Sequence, residues 1–126
     1  MTETMHERLR WAEHRGLTFL VIDFTNLPQG DQLAVVEAVA EVYYRFPSRT
    51  LLVITDITGS FGTRASISKM QELGRKHPAR HFAAIGVTGI KKVLAQSIRR
   101  GMFFADSVEE AMDLIADRVA KETEEN

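Results

Sequence analysis

The sequence predicts a single α/β domain: an open, mostly parallel, four-stranded sheet with helices on both faces, preceded by an N-terminal helix. Three observations carry that expectation. Leu51-Leu52-Val53-Ile54 is a continuous apolar run too short for a helix, which reads as a central strand buried on both faces. Similar runs recur at Leu17–Phe24, Phe82–Val87 and Met102–Ala105. The segments between them carry apolar residues at helical spacing, so strands alternate with helices as in βαβ crossovers.

The elements follow in order. Thr4-Met5-His6-Glu7 is a capping-box pattern. Met5, Leu9 and Ala12 recur at helical spacing and Gly16 supplies a stop, so a helix is expected from about Met5 to Arg15, within residues 1–16. Trp11 lies off its stripe. Leu17–Phe24 is the first strand and Thr25–Gly30 the turn after it. Asp31 is the expected cap of a helix carrying Leu33, Val36, Val39 or Ala40, Tyr43 and Phe46, ended by Pro47. The central strand, Leu51 to Ile57, leads into a loop with Gly59 and Gly62. Thr63 is a natural cap for a helix through Ile67, Met70 and Leu73, broken at Gly74 and Pro78. That helix has a thin apolar stripe, with Ser66 and Ser68 polar, and is expected to be the least buried. After Phe82–Val87, Thr88-Gly89 turns into a helix of Ile90, Val93, Leu94, Ser97 and Ile98, stopped by Gly101. Met102–Ala105 is a short last strand. Ser107-Val108-Glu109-Glu110 is a second capping box, opening a helix with Val108, Ala111, Met112, Ile115 and Val119. The α/β core therefore covers 17–120, and the charged tail 121–126 is expected to fray. No linker or repeat divides 1–126.

Composition narrows the class. At 126 residues the chain is one domain with room for a core. It has no cysteine, which excludes disulfides and thiolate chemistry and fits a reducing compartment. No apolar run approaches the ~20 residues of a membrane-spanning helix, and the polar, acidic start is unlike a signal peptide; a cytoplasmic protein is expected. The net charge is −1 but uneven. Basic residues run from Arg64 to Arg100 with Glu72 the sole acid, and acids dominate from Asp106 onward. Solvated helix faces are the preferred reading. Nucleic-acid binding is not expected, because the bases are not interleaved with exposed-looking aromatics.

Open α/β sheets meet their ligands at the carboxyl ends of the strands. Asp23, Thr25, Asp56, Thr58, Thr88, Asp106 and Ser107 are placed there. The candidate binding surface is the loop Asp56, Thr58, Gly59, Ser60 and Phe61, with Thr63, Arg64 and Lys69 at the following helix and Thr88 on the neighbouring strand end. Asp23 and Asp56 could share Mg²⁺, as in receiver domains. That chemistry needs an acidic pair and a late lysine, yet Phe24 follows Asp23 and Thr88-Gly89-Ile90 holds no lysine. Each Asp is read instead as bonding its own loop. Neither GxGxxG nor a P-loop is present; Gly59-Ser60-Phe61-Gly62 is a helix-start loop that would tolerate an anion. A nucleophilic Ser60 or Ser66 would need a histidine, but His77 and His81 fall on the opposite rim and no GxSxG occurs. No metal site and no cofactor are expected. Thr63, Ser60 and Ser66 are candidate phosphorylation sites, although a cap and two loop serines are the simpler reading.

Phe82-Ala83-Ala84-Ile85-Gly86-Val87-Thr88-Gly89-Ile90-Lys91-Lys92-Val93-Leu94, the stretch Met102 to Leu114 with its Asp-Ser-x-Glu-Glu-Ala helix start, and Val53 to Met70 together resemble the STAS domain family. These are the bacterial anti-sigma-factor antagonists, here in the compact SpoIIAA-like or STAS/SEC14-like form, and the resemblance runs from Leu17 to Val119. Two departures stand out. Antagonists carry Asp-Ser-Ser-Gly where this chain has Gly62-Thr63-Arg64-Ala65, so only the Thr63 hydroxyl carries over. The family's usual N-terminal strand pair looks replaced by a helix. The resemblance implies a non-catalytic regulatory module that binds a protein partner or small ligand through the Asp56–Lys69 rim. The alternatives are a small metal-dependent enzyme using Asp23 and Asp56, and an apolar- or lipid-ligand binder, as SEC14-like relatives imply. Carboxylates capped by backbone N–H groups would count against the enzyme, and an apolar cavity under Ser60–Ile67 would favour the ligand binder. A chain this small leaves little room for a closed ~300 Å³ pocket beyond its core. A homodimer is a further candidate, through Trp11, Tyr43, Tyr44 and Phe61.

Overall fold

In the computed structural model, which describes residues 5–89 and 101–124, the sheet begins one element earlier than the sequence suggests. The strands are β1 (Leu9–His14), β2 (Leu17–Asp23), β3 (Leu52–Asp56), β4 (His81–Ile85) and β5 (Phe103–Ala105), in spatial order β1-β2-β3-β4-β5. The helices are α1 (Gln29–Tyr43), α2 (Arg64–Lys76) and α3 (Val108–Glu124). β1 and β2 are antiparallel, and β2 through β5 are parallel. The sheet is thus five-stranded and mixed, not four-stranded. The Thr4 cap, the helix expected from Ile90 to Ile98, the bases Lys91, Lys92, Arg99 and Arg100, and residues 125–126 lie outside the described residues.

The expected N-terminal helix is a strand. Gly16 does not stop a helix; Arg15 (φ 53) and Gly16 (φ 77) form the two-residue turn of a hairpin. Two successive positive φ values match the right-handed twist of the flanking strands, and glycine adopts one of them without a Cβ clash. Leu9, Ala12 and their neighbours then divide by the strand period of two. Leu9 joins the core on the α1 side, and Ala12 packs on the α3 side. Trp11, on the Leu9 face, meets Phe46 edge-on at 5.6 Å.

The long apolar runs exist because the central strands are covered twice. Leu20, Ile22, Val53, Phe82 and Ala84 face α1 and α2, while Phe19, Val21, Leu52, Ile54, Ala83 and Ile85 face α3. Each fully buried Val, Leu, Ile or Phe among them contributes roughly 1.5–3 kcal/mol. The buried stripe of α1 is Gln32, Val35, Val36, Val39, Val42 and Tyr43. It is turned from the expected one, so Leu33 is exposed and Gln32 faces inward. Asp31 does not cap this helix. Pro28 stands at the cap without a side-chain bond, and Asp31 lies in the first turn, where its charge suits the helix dipole. Among the candidate dimer residues, Tyr43 is core, whereas Trp11, Tyr44 and Phe61 are exposed.

α3 is fastened by ion pairs to the sheet edge that holds the amino ends of the parallel strands and the β1–β2 turn. His14 Nε2 lies 2.7 Å from Asp113 Oδ1, and Arg15 Nη1 lies 2.9 Å from Asp117 Oδ1. Near the helix end, His81 Nε2 lies 2.8 Å and Arg80 Nη2 3.3 Å from Glu122 Oε1. The helix extends to Glu124, with this second clamp at its last turns. The His14 hydrogen bond holds the Asp113 carboxyl below its ordinary range, with Arg15 assisting. The His81 hydrogen bond does the same for Glu122, with Arg80 assisting. Groups whose pKa is depressed by folding stabilise the native state above the unfolded pKa and lose that contribution as pH falls through the folded value. Asp113→Asn combined with Glu122→Gln should therefore melt below wild type at neutral pH, by a modest margin because both sites are solvated. The gap should close as the pH is taken below the carboxylate range. Melting curves recorded from neutral to acid pH check this, and a gap that persists in acid contradicts it.

Candidate functional site

The carboxyl ends of β2 and β3 lie side by side, with Asp23 and Asp56 paired in register. The chain keeps its ladder beyond the strands: Phe24 N donates to Asp56 O (2.8 Å), Asn26 N to Thr58 O (2.9 Å) and Ile57 N to Ile85 O (2.9 Å). Each carboxylate is turned onto its own loop. Asp23 Oδ1 accepts from Thr25 N (2.8 Å) and Thr25 Oγ1 (2.5 Å). Asp56 Oδ1 accepts from Thr58 N (3.0 Å) and Thr58 Oγ1 (2.7 Å). Both are Asx turns, in which a short side chain replaces a backbone acceptor two residues on. Burial pushes the Asp23 carboxyl up, but the Thr25 bonds and the nearby Arg8 charge outweigh it and hold the group below its ordinary range. Among the described residues, no three His, Cys, Asp or Glu side chains are grouped to hold a metal ion.

The Thr58–Gly59 loop closes against the end of β4. Gly86 (φ 79) is the contact point, and a Cβ there would stand 2.7 Å from the Thr58 backbone nitrogen. Only glycine permits that approach.

The chain then turns inward. Ser60 and Ser66 are both buried. Between them Thr63 caps α2: its Oγ1 accepts from Ser66 N (3.0 Å), and Thr63 N donates to Ser66 Oγ (3.1 Å), a reciprocal capping box. The side chain of Gln32, 1% exposed, gathers this segment. Its Oε1 accepts from Thr63 N (3.0 Å) and Ser66 Oγ (2.9 Å), and its Nε2 donates to Phe61 O (2.6 Å). α2 packs on α1 and buries Ser66 and Leu73, while its Ile67 and Met70 stand across a gap from Thr55, Phe82 and Ala84 of the sheet.

The stand-off leaves a pocket of about 210 Å³ beneath residues 60–67. Its wall is largely hydrocarbon, from Phe24, Val36, Ile57, Ile67, Met70 and Phe82, with Thr55 and Ala84 contributed by the sheet. The exposed Phe61 and Gly62 bring it to the surface.

The structure thus divides the residues singled out in the sequence. Asp56, Thr58 and Gly59 form a closed rim, and Thr88 stands exposed on the adjoining loop. Ser60, Phe61 and Ser66 line the pocket. Thr63 is the cap beside it; Arg64 is exposed and Lys69 half-buried, and neither lines the pocket. Gln32, Thr55 and Ala84 were not legible as site residues. Gln32 had one usable signal, a polar residue three, four and seven positions before Val35, Val36 and Val39 on a core-facing stripe. Gln32→Leu should cost about 2 kcal/mol, since it strips partners from several buried polar groups, and should loosen the 60–66 segment. Urea titration with hydrogen exchange at Thr63 and Ser66 reads both effects; unchanged exchange there contradicts the hub role.

No known protein family and no curated protein matches the chain in sequence. Among solved structures it is similar to an uncharacterised protein of the DUF3478 family, with a SpoIIAA-like fold, from Shewanella loihica PV-4. The identity is 17%, the TM-score 0.64, and the match covers 90% of this chain and 98% of that one. Likeness at that identity speaks for architecture alone, and it agrees with the resemblance read from the sequence: the chain has a SpoIIAA-like α/β fold.

Proposed function

We propose that the chain is a non-catalytic STAS-type binding module that takes a small apolar ligand at the carboxyl edge of the sheet, in the pocket beside the helix starting at Thr63. The observation that carries this reading is the hydrocarbon-walled pocket beneath residues 60–67. A ligand burying on the order of 200 Å² of apolar surface there gains about 5 kcal/mol from leaving water, before the costs of immobilisation. The non-catalytic part of the reading is supported by Asp23 and Asp56, whose Oδ1 atoms are both engaged by their own loops. A protein partner would meet the ligand state at the same rim, where the exposed Phe61 and Gly62 open the pocket to the surface.

A small environment-sensitive apolar dye that suits a pocket of about 210 Å³, such as 4-(dimethylamino)benzonitrile, tests the reading. Wild type should bind it, and Ala84→Leu, which fills the sheet side of the pocket, should weaken binding at least tenfold. Ile67→Trp, on the helix side, provides a second obstruction should the first variant fold poorly. Dye binding that survives both substitutions overturns the pocket reading. A Mg²⁺-dependent rise in melting temperature that is lost in both Asp23→Asn and Asp56→Asn would favour the metal-dependent alternative.

A further inference from the structure

A second cavity, of about 160 Å³, lies against the carboxyl-terminal half of α2, and it shares two walls with the first, Met70 and Phe82. The helix side is continuous. Ile67 and Met70 line the first cavity, and Met70, Leu73 and Gly74 the second. These positions are three and four residues apart, so one face of α2 borders both. The sheet side is continuous as well, because Phe82 and Ala84 are two residues apart on β4 and present the same face. Ile67 to Gly74 spans roughly 10 Å along the helix axis. Met70 and Phe82, common to both linings, form the divide. Phe82 is fixed on a strand between β3 and β5. Met70 is half-buried and unbranched, a side chain whose three rotatable bonds let it repack around an irregular gap.

We infer that the two cavities are halves of one groove along α2, and that its ligand is an unbranched hydrocarbon chain whose polar end stays at the Phe61–Gly62 mouth while its tail passes Met70 toward Ala79. The inference rests on the pocket reading above and adds the shape of the ligand to it. A cavity of ~150 Å³ admits benzene, and each half is of that order. A compact body therefore fills one half and leaves the other empty. Only a slender body can cross between Met70 and Phe82 and bury surface in both. An alkyl chain is such a body, and each methylene that leaves water strengthens binding about fourfold. The far walls of the second cavity include Leu73, Pro78 and Ala79, hydrocarbon surface that suits the end of a chain.

Three alcohols separate the possibilities: hexanol, decanol and adamantanol, the last of the same carbon number as decanol but compact. Affinities would be measured calorimetrically for wild type, Ala79→Leu and Ala84→Leu. Wild type should bind decanol at least tenfold more tightly than either hexanol or adamantanol, since the added methylenes of decanol reach the second cavity. Ala79 lines the second cavity and not the first. Ala79→Leu should therefore weaken decanol at least tenfold and leave hexanol within about twofold of wild type. Gly74→Leu obstructs the same cavity from the helix side, should Ala79→Leu fold poorly. Decanol binding that survives both substitutions, a loss that is equal for hexanol, or adamantanol bound as tightly as decanol, each overturns the groove. If hexanol binds wild type and is lost in Ala84→Leu, while decanol gains less than tenfold over hexanol, the pocket reading stands and the groove alone falls. If no alcohol binds wild type, both readings fall.

Discussion

The amide of Gln32 sets the spacing between α2 and the sheet. A buried primary amide must find partners on both ends, and those of Gln32 all lie in residues 60–66. Satisfying it therefore ties the start of α2 to α1. An apolar residue at the same position would place no such demand, and α2 could settle onto Phe82 and Ala84 to close the gap. Full polar satisfaction at the start of α2 and an unfilled apolar gap beneath it thus stand side by side. Burial of the two serines follows from the same constraint, since Ser66 serves both the amide and the Thr63 cap.

Much of the fold was legible because the parallel strands are covered on both faces. Double coverage removes alternation and leaves runs such as Leu51–Ile54, which few other environments produce. Caps were legible where one side chain fits one geometry, as at Thr63 and Ser107, whose Oγ accepts from Glu110 N. The first element was not legible. Met5, Leu9 and Ala12 satisfy a helical spacing and also leave Leu9 and Ala12 on opposite faces of a strand. Six cross-strand pairs with β2 decide between those readings, and pairing with a distant segment is not a local property. The same holds for the last turns of α3, where His81 and Arg80, distant in sequence, are brought beside Glu122.

The candidate site shows the same division. The closed state of the two acidic groups was written locally, as Asp-Phe-Thr and Asp-Ile-Thr, each with a hydroxyl and an amide two residues on. The pocket was not, because it is defined by side chains that fail to meet. Val36, Ile67 and Ala84 come from three separate elements, and their individual spacings describe core. Thr55 illustrates the limit most clearly. In sequence it is a β-branched residue suited to a strand, and its place in the pocket wall exists only once Ile22 and Ala84 are its neighbours.

The hairpin that replaced the expected helix also decides how the sheet ends. A sheet edge is a row of unpaired amides and carbonyls that invites another chain to add on. At one end that edge is β1, whose outer strand carries the exposed charges Arg10 and Glu13 and turns at Arg15-Gly16. At the other it is β5, only three residues long. A border bearing charge on either side of Trp11 and a three-residue stub both offer little template for strand addition at the margins of a sheet with a strongly apolar centre.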